Sequence, residues 1–122
     1  MFDIIEFHTK IGAHLNCVGS YTPKMQEVDE DTIVHSSCVG DIAEHVWEEA
    51  GDFLIPLEKG LISKDHIKAS LGKVIHNKVF REKSDEITLF KSCGVALQDV
   101  ALGNLVAKNA QKMDIGIVAD LF

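Results

Sequence analysis

Two short runs in this chain combine residue types that a reaction site can use, Val18-Gly19-Ser20 and Ser92-Cys93-Gly94. Each joins a glycine, which lets a backbone approach a flat ring closely, to a serine hydroxyl that both donates and accepts hydrogen bonds. Cys93 adds a thiol, and Tyr21 adds a phenol just after the first run. Glycine at a strand end also serves plain turn geometry, so the two runs by themselves name no reaction. Other side chains invite a chemical reading and have a plainer one beside it. Asp85 and Glu86 are adjacent carboxylates, which suits solvated charge at the start of a strand. Asp41, with Glu44 three residues on, suits a helix N-cap. His14 suits a buried, hydrogen-bonded imidazole within a strand, and Trp47 a core or interface position. Arg81 and Lys83 can meet a phosphate, but exposed ion pairs explain them as well.

Several chemistries lack their motifs. The six histidines (His8, His14, His35, His45, His66 and His76) include no pair three or four apart, so the helical zinc clamp is absent and no metal is expected. Cys17, Cys38 and Cys93 form no C-x-x-C pair and read as buried structural thiols. Neither G-x-G nor a P-loop occurs anywhere, so no phosphate-binding fingerprint is present.

The elements that must position these residues alternate between short extended and longer helical segments. Ala13 to Val18 reads as a strand, entered through Gly12 and left through Gly19-Ser20, with Pro23 holding the following loop extended. Asp29 caps a short helix over Glu30 to His35, and Ser37 to Gly40 is a brief second strand. A helix with Ile42, Val46, Trp47 and Ala50 at helical spacing follows Asp41 and ends before Gly51. Ser63 opens another, with Ile67, Leu71, Val74 and Ile75 on one face. Glu86 to Ser92 alternates β-branched and aromatic residues with polar ones and is the clearest strand, broken at Gly94. A long amphipathic helix then runs from about Val95 to Lys112, with Leu97, Val100, Ala101, Leu105 and Val106 as its apolar face. Strand–helix alternation without hairpin turns points to a three-layer α/β fold around a parallel sheet of about three strands. Ligands in such sheets bind outside the carboxyl ends of the strands, where both glycine-serine runs fall.

Composition agrees. A chain of 122 residues, 46% hydrophobic and 25% charged, makes one globular domain. Its net charge of −7, with no basic cluster, disfavours nucleic acid. No apolar run approaches a membrane span. The amino-terminal MFDIIEFHTK carries Asp3 and Glu6 where a secretory leader would be basic, which points to the cytoplasm.

Three blocks, GAHLNCVGSYTPKMQEVDEDTI, EEAGDFLIPLEKGLI and SDEITLFKSCGVALQDVA, together resemble the ornithine cyclodeaminase/mu-crystallin family, which includes alanine dehydrogenases and ketimine reductases. The resemblance runs from about Gly12 to Lys112. It implies the distal half of a dinucleotide-binding Rossmann domain plus a helix that returns to a separate substrate domain. It also implies NAD or NADP as cofactor, with Val18, Gly19, Ser20, Tyr21 and Ser92 bordering the nicotinamide and Cys93 facing the substrate. Tyr21 stands where cyclodeaminases carry a catalytic aspartate, and Met25 where they carry a lysine, with Lys24 adjacent. A phenol, with its ordinary pKa of about 10, supplies no carboxylate at neutral pH, so the chain sides with the reductase and dehydrogenase branch. Only eleven residues precede Gly12. The resemblance therefore leads us to expect a truncated chain that does no chemistry alone. It should pair with a second copy, or with a chain carrying the glycine fingerprint, because a half-sheet leaves an open edge and a bare helix face.

Overall fold

A computed structural model describes residues 9–77 and 80–119; Asp3, Glu6 and His8 lie outside them. The described chain runs β1 (His14–Cys17), α1 (Glu30–Val34), β2 (Ser36–Gly40), α2 (Ala43–Glu49), α3 (Gly51–Glu58), β3 (Ile67–Ser70), α4 (Leu71–Asn77), β4 (Ile87–Lys91) and α5 (Ala96–Met113). All strand pairs are parallel, in the order β1-β4-β2-β3. The α/β class holds, but the sheet has four strands, not three.

The extra strand lies inside the helix expected from Ser63. A single 3-10 turn at Lys64–His66 leads into β3, and only the last part of the expected helix forms, as α4. Ile67, Leu71, Val74 and Ile75 satisfy helical spacing, while a four-residue edge strand is too short to show an alternation of its own. Two further differences cluster at Gly51. It follows the Ala50 cap of α2, as expected, but also opens α3, and a Cβ there would run into the Pro23 and Met25 carbonyls. α3 has no counterpart among the expected elements, and Gly51 and Pro56 punctuate its run.

One face of the sheet carries the core. Leu89 of β4 is fully buried among Val28, Ile33, Val46 and Phe53, and Trp47 packs edge-on against Phe53 with centroids 5.7 Å apart. Asp29 caps α1 as expected, its carboxylate accepting from the Thr32 amide at 2.7 Å. On the opposite face His14 is exposed, not buried. Its Nδ1 hydrogen-bonds Thr88 Oγ1 at 2.8 Å and its ring meets Phe80 edge-on. Among the described residues Arg81 forms no surface ion pair. Its guanidinium donates to the carbonyls of Gly12, Ala13 and Glu86 and to the Thr88 hydroxyl, stapling the entries of β1 and β4 together.

In contrast, α5 buries none of its eighteen residues. Its apolar side chains, including Leu97, Val100, Leu105 and Val106, all stand in solvent.

Candidate functional site

The register of the sheet decides where a site can form. Cys17 pairs with Lys91, Lys91 with Gly40, and Gly40 with Ser70, so all four strands end level. The turns that follow β1 and β4 therefore lie side by side, joined by the Ser92 amide donating to the Cys17 carbonyl at 3.0 Å. Val18, Gly19, Ser20, Ser92 and Cys93 are thus brought together, with Tyr21 next along the β1 turn.

Beneath them lies a buried polar network that sequence reasoning missed. Residues 87, 89 and 91 point to one face of β4, which carries Lys91 into the core beside Leu89. Lys91 and Asp52 are both fully buried and pair at 2.8 Å, and Lys91 also reaches Glu27 at 3.2 Å. Asp52, in the first turn of α3, accepts further bonds from the amides of Glu27 and Val28 and from the Ser20 hydroxyl. A lysine on the apolar face of the strongest strand was the available signal, since such a charge is buried only when paired.

Two carboxylates then fix the two turns. Glu27 accepts from the amides of Val18 (3.3 Å), Gly19 (2.6 Å) and Ser20 (3.4 Å). A Cβ on Gly19 would sit 3.1 Å from the Glu27 carboxyl carbon, so glycine here makes room for that carboxylate. Asp41 does the same for the β4 turn. Its Oδ2 accepts from the Ser92 hydroxyl (2.8 Å) and from the Cys93 and Gly94 amides (both 3.0 Å). Asp41 is therefore not the cap of α2. Ile42 holds that position without a side-chain bond, and the Asp41 carboxylate is turned toward β4. Gly94 has a φ of +90°, a conformation that suits glycine at the turn.

The side chains left facing outward are few. Val18 is 65% exposed and Tyr21 59%, whereas Ser20 is buried and both serine protons are committed to carboxylates. Cys93 is half-buried, and burial pushes its thiol up to about 11, with the Lys91 ammonium lowering it and the Asp41 carboxylate raising it. The fully buried Cys17 and Cys38 thiols are pushed up to about 12, mainly by burial. All three are neutral thiols near pH 7, which suits packing and not nucleophilic attack. Asp85 is exposed, as expected, while Glu86 is drawn in by the Glu82 amide at 2.9 Å. A cleft of about 360 Å³ lined by His35, Ser37, His66 and Glu86 opens at the other end of the sheet, by the strand starts. Among the described residues no helix is long and apolar enough to cross a membrane, and no group of three or more His, Cys, Asp or Glu could hold a metal.

This arrangement has relatives. The sequence pattern of the ornithine cyclodeaminase/mu-crystallin family matches residues 6–114. The chain belongs to this family. Within it, the chain is 36% identical over 107 residues to a Delta(1)-pyrroline-2-carboxylate reductase of Bacillus cereus, covering 86% of this chain and 33% of that protein. The structure of the Thermococcus litoralis Delta(1)-pyrroline-2-carboxylate reductase, in complex with NADH and L-proline, matches with a TM-score of 0.87 and 33% identity. That match covers 94% of this chain and 36% of the reductase. An archaeal alanine dehydrogenase dimer with bound NAD matches at a TM-score of 0.83 and 30% identity, over 98% of this chain and 38% of the other. The chain thus spans about a third of the length of the curated relatives it matches. Its α/β sheet is of the Rossmann-like kind found in these nicotinamide-dependent enzymes.

Proposed function

We propose that the chain forms the nicotinamide-proximal wall of an NAD(P)-dependent oxidoreductase acting on an amino acid or a cyclic imine. On this reading it is the distal half of a dinucleotide-binding domain followed by a helix, and Val18, Gly19, Ser20, Tyr21 and Ser92 border the ring while Cys93 faces the substrate. The observation that carries the reading is the pair of level, adjacent strand-end turns with Val18 and Tyr21 open above them. The names of the relatives, a pyrroline-carboxylate reductase and an alanine dehydrogenase, support the substrate class. The residues present fit the ring end of the cofactor and not its pyrophosphate. A phosphate wants free backbone amides at a helix start, and the amides of residues 18–20, 93 and 94 are already bonded to Glu27 and Asp41.

When bound, the nicotinamide supplies the hydride chemistry. The chain's own part is placement. The β1 turn offers a flat, partly apolar shelf, the neutral Cys93 thiol closes one side, and the Tyr21 hydroxyl is available to hydrogen-bond a substrate. Tyr21, in the place of the cyclodeaminase aspartate, favours reduction or dehydrogenation over ornithine cyclisation.

The test is titration of the chain with NADH and NADPH, followed by nicotinamide fluorescence. Saturable binding is expected, and unchanged emission at millimolar cofactor overturns the reading. The exposure of α5 favours a second one, in which the chain folds as an oligomer, a dimer or a complex with a chain carrying the glycine fingerprint, and holds no dinucleotide itself. Light scattering at micromolar concentration tests that, and a monomer overturns it.

A further inference from the structure

The direction in which a peptide group points is fixed at both ends. In a trans peptide the N–H of one residue and the C=O of the residue before it are antiparallel, and no described peptide is cis. The Gly19 and Ser20 amides converge on Glu27 from within. The carbonyls of Val18 and Gly19 must therefore point the opposite way, out of the turn. The same argument turns the Ser92 and Cys93 carbonyls away from Asp41, which takes the Cys93 and Gly94 amides. The backbone of the rim above the strand ends thus offers carbonyl acceptors, while the amides of residues 18–20, 93 and 94 are committed inside. Charge runs the same way. Glu27 and the buried Asp52 share one cation, Lys91, while Asp41 is held by neutral donors.

We propose that Glu27 is a positioning residue that makes the β1 turn a hydrogen-bond-accepting rim, selecting the carboxamide of a nicotinamide ring over a carboxylate in the same place. This rests on the nicotinamide reading above and sharpens it. A carboxamide NH2 donates to outward carbonyls. A carboxylate offers only oxygens to those carbonyl oxygens and meets the field of Glu27, Asp52 and Asp41. Gly19 belongs to the same device, since the space its missing Cβ leaves is where the Glu27 carboxylate sits.

The experiment titrates the full chain with NAD+ and with nicotinic acid adenine dinucleotide, which differ only in that group, and reads the amide resonances of Val18 to Tyr21. NAD+ is expected to bind the wild-type chain at least about tenfold more tightly than the acid analogue, the loss that one unmatched hydrogen bond produces. Glu27→Gln keeps the size of the side chain but replaces one accepting oxygen with an NH2 and removes the charge. It is expected to narrow the ratio to about threefold or less by freeing turn amides to face outward. A merely structural role would lower the melting temperature and leave the ratio alone. Equal binding of both dinucleotides by the wild type, or an unchanged ratio in Glu27→Gln, overturns the proposal and leaves the nicotinamide reading standing. No resonance shift with about 10 mM NAD+ overturns both. One measurement needs no variant. The Gly19 amide of the wild-type chain should exchange with solvent at least about tenfold more slowly than an unprotected amide, and exchange at the free rate overturns the proposal.

Discussion

The strand-end turns and α5 are opposite solutions within one chain. At the turns, short and weakly patterned segments are held by Glu27, Asp41, Asp52 and Lys91, almost every polar group being bonded to another part of the chain. In α5, eighteen residues make a well-formed helix, closed by a left-handed Asp114 at its carboxyl end, that touches almost nothing. The difference teaches where precision is invested. A turn whose apolar side chains face outward is held in place when carboxylates take its amides. A helix with abundant apolar surface stays bare when no element of the described chain covers it. Regularity of local structure and depth of anchoring are separate properties here.

The comparison breaks most sharply at Lys91. Lys91→Ala leaves Asp52 buried without its cation, and a loss of about 3–5 kcal/mol in urea unfolding is expected, the cost of a broken buried pair. A loss under about 1 kcal/mol would show that the turns do not depend on the network. The effect at the amino ends of the strands is smaller and depends on pH. The Glu82 amide holds the Glu86 carboxyl down from its ordinary 4.5 to about 2. Because the folded value lies below the unfolded one, the stabilisation is complete above 4.5 and fades as pH falls toward 2. Glu86→Gln should therefore flatten the acid limb of the stability curve in that window and nowhere else, and an unaltered limb would contradict this. The smallest effect belongs to α5. Val100→Asp combined with Leu105→Asp should change the stability of the dilute chain by no more than about 0.5 kcal/mol, as exposed sites do. A larger drop would show that this helix is packed after all.

The sequence was informative where a pattern is long or chemically marked. β4 was legible from its alternation, α1 from Asp29, and α5 from its length. The positions of the two glycine-serine turns followed from the parallel α/β plan. β3 was not legible, since four residues carry no period, and α3 was hidden by Gly51 and Pro56. The network was missed for a different reason. Glu27, Asp41, Asp52 and Lys91 are far apart in sequence, and of the four only Lys91, on the apolar face of β4, carries a mark of burial. The register that sets Cys17, Lys91 and Gly40 level, together with the packing of α3 and the β1–α1 loop against it, makes them neighbours.

The order of the strands has a consequence for how the chain is made. β4 is the last of the described strands in chain order, yet it lies between β1 and β2. Before residues 87–91 leave the ribosome, β1 has no neighbour among the described strands and β2 has only β3. Most of the sheet must wait for its keystone, with two unsatisfied edges open to the wrong strand in the interval. Any break in translation ahead of Ile87 would leave a nascent chain with a gap at its centre, the kind of species that chaperones recognise.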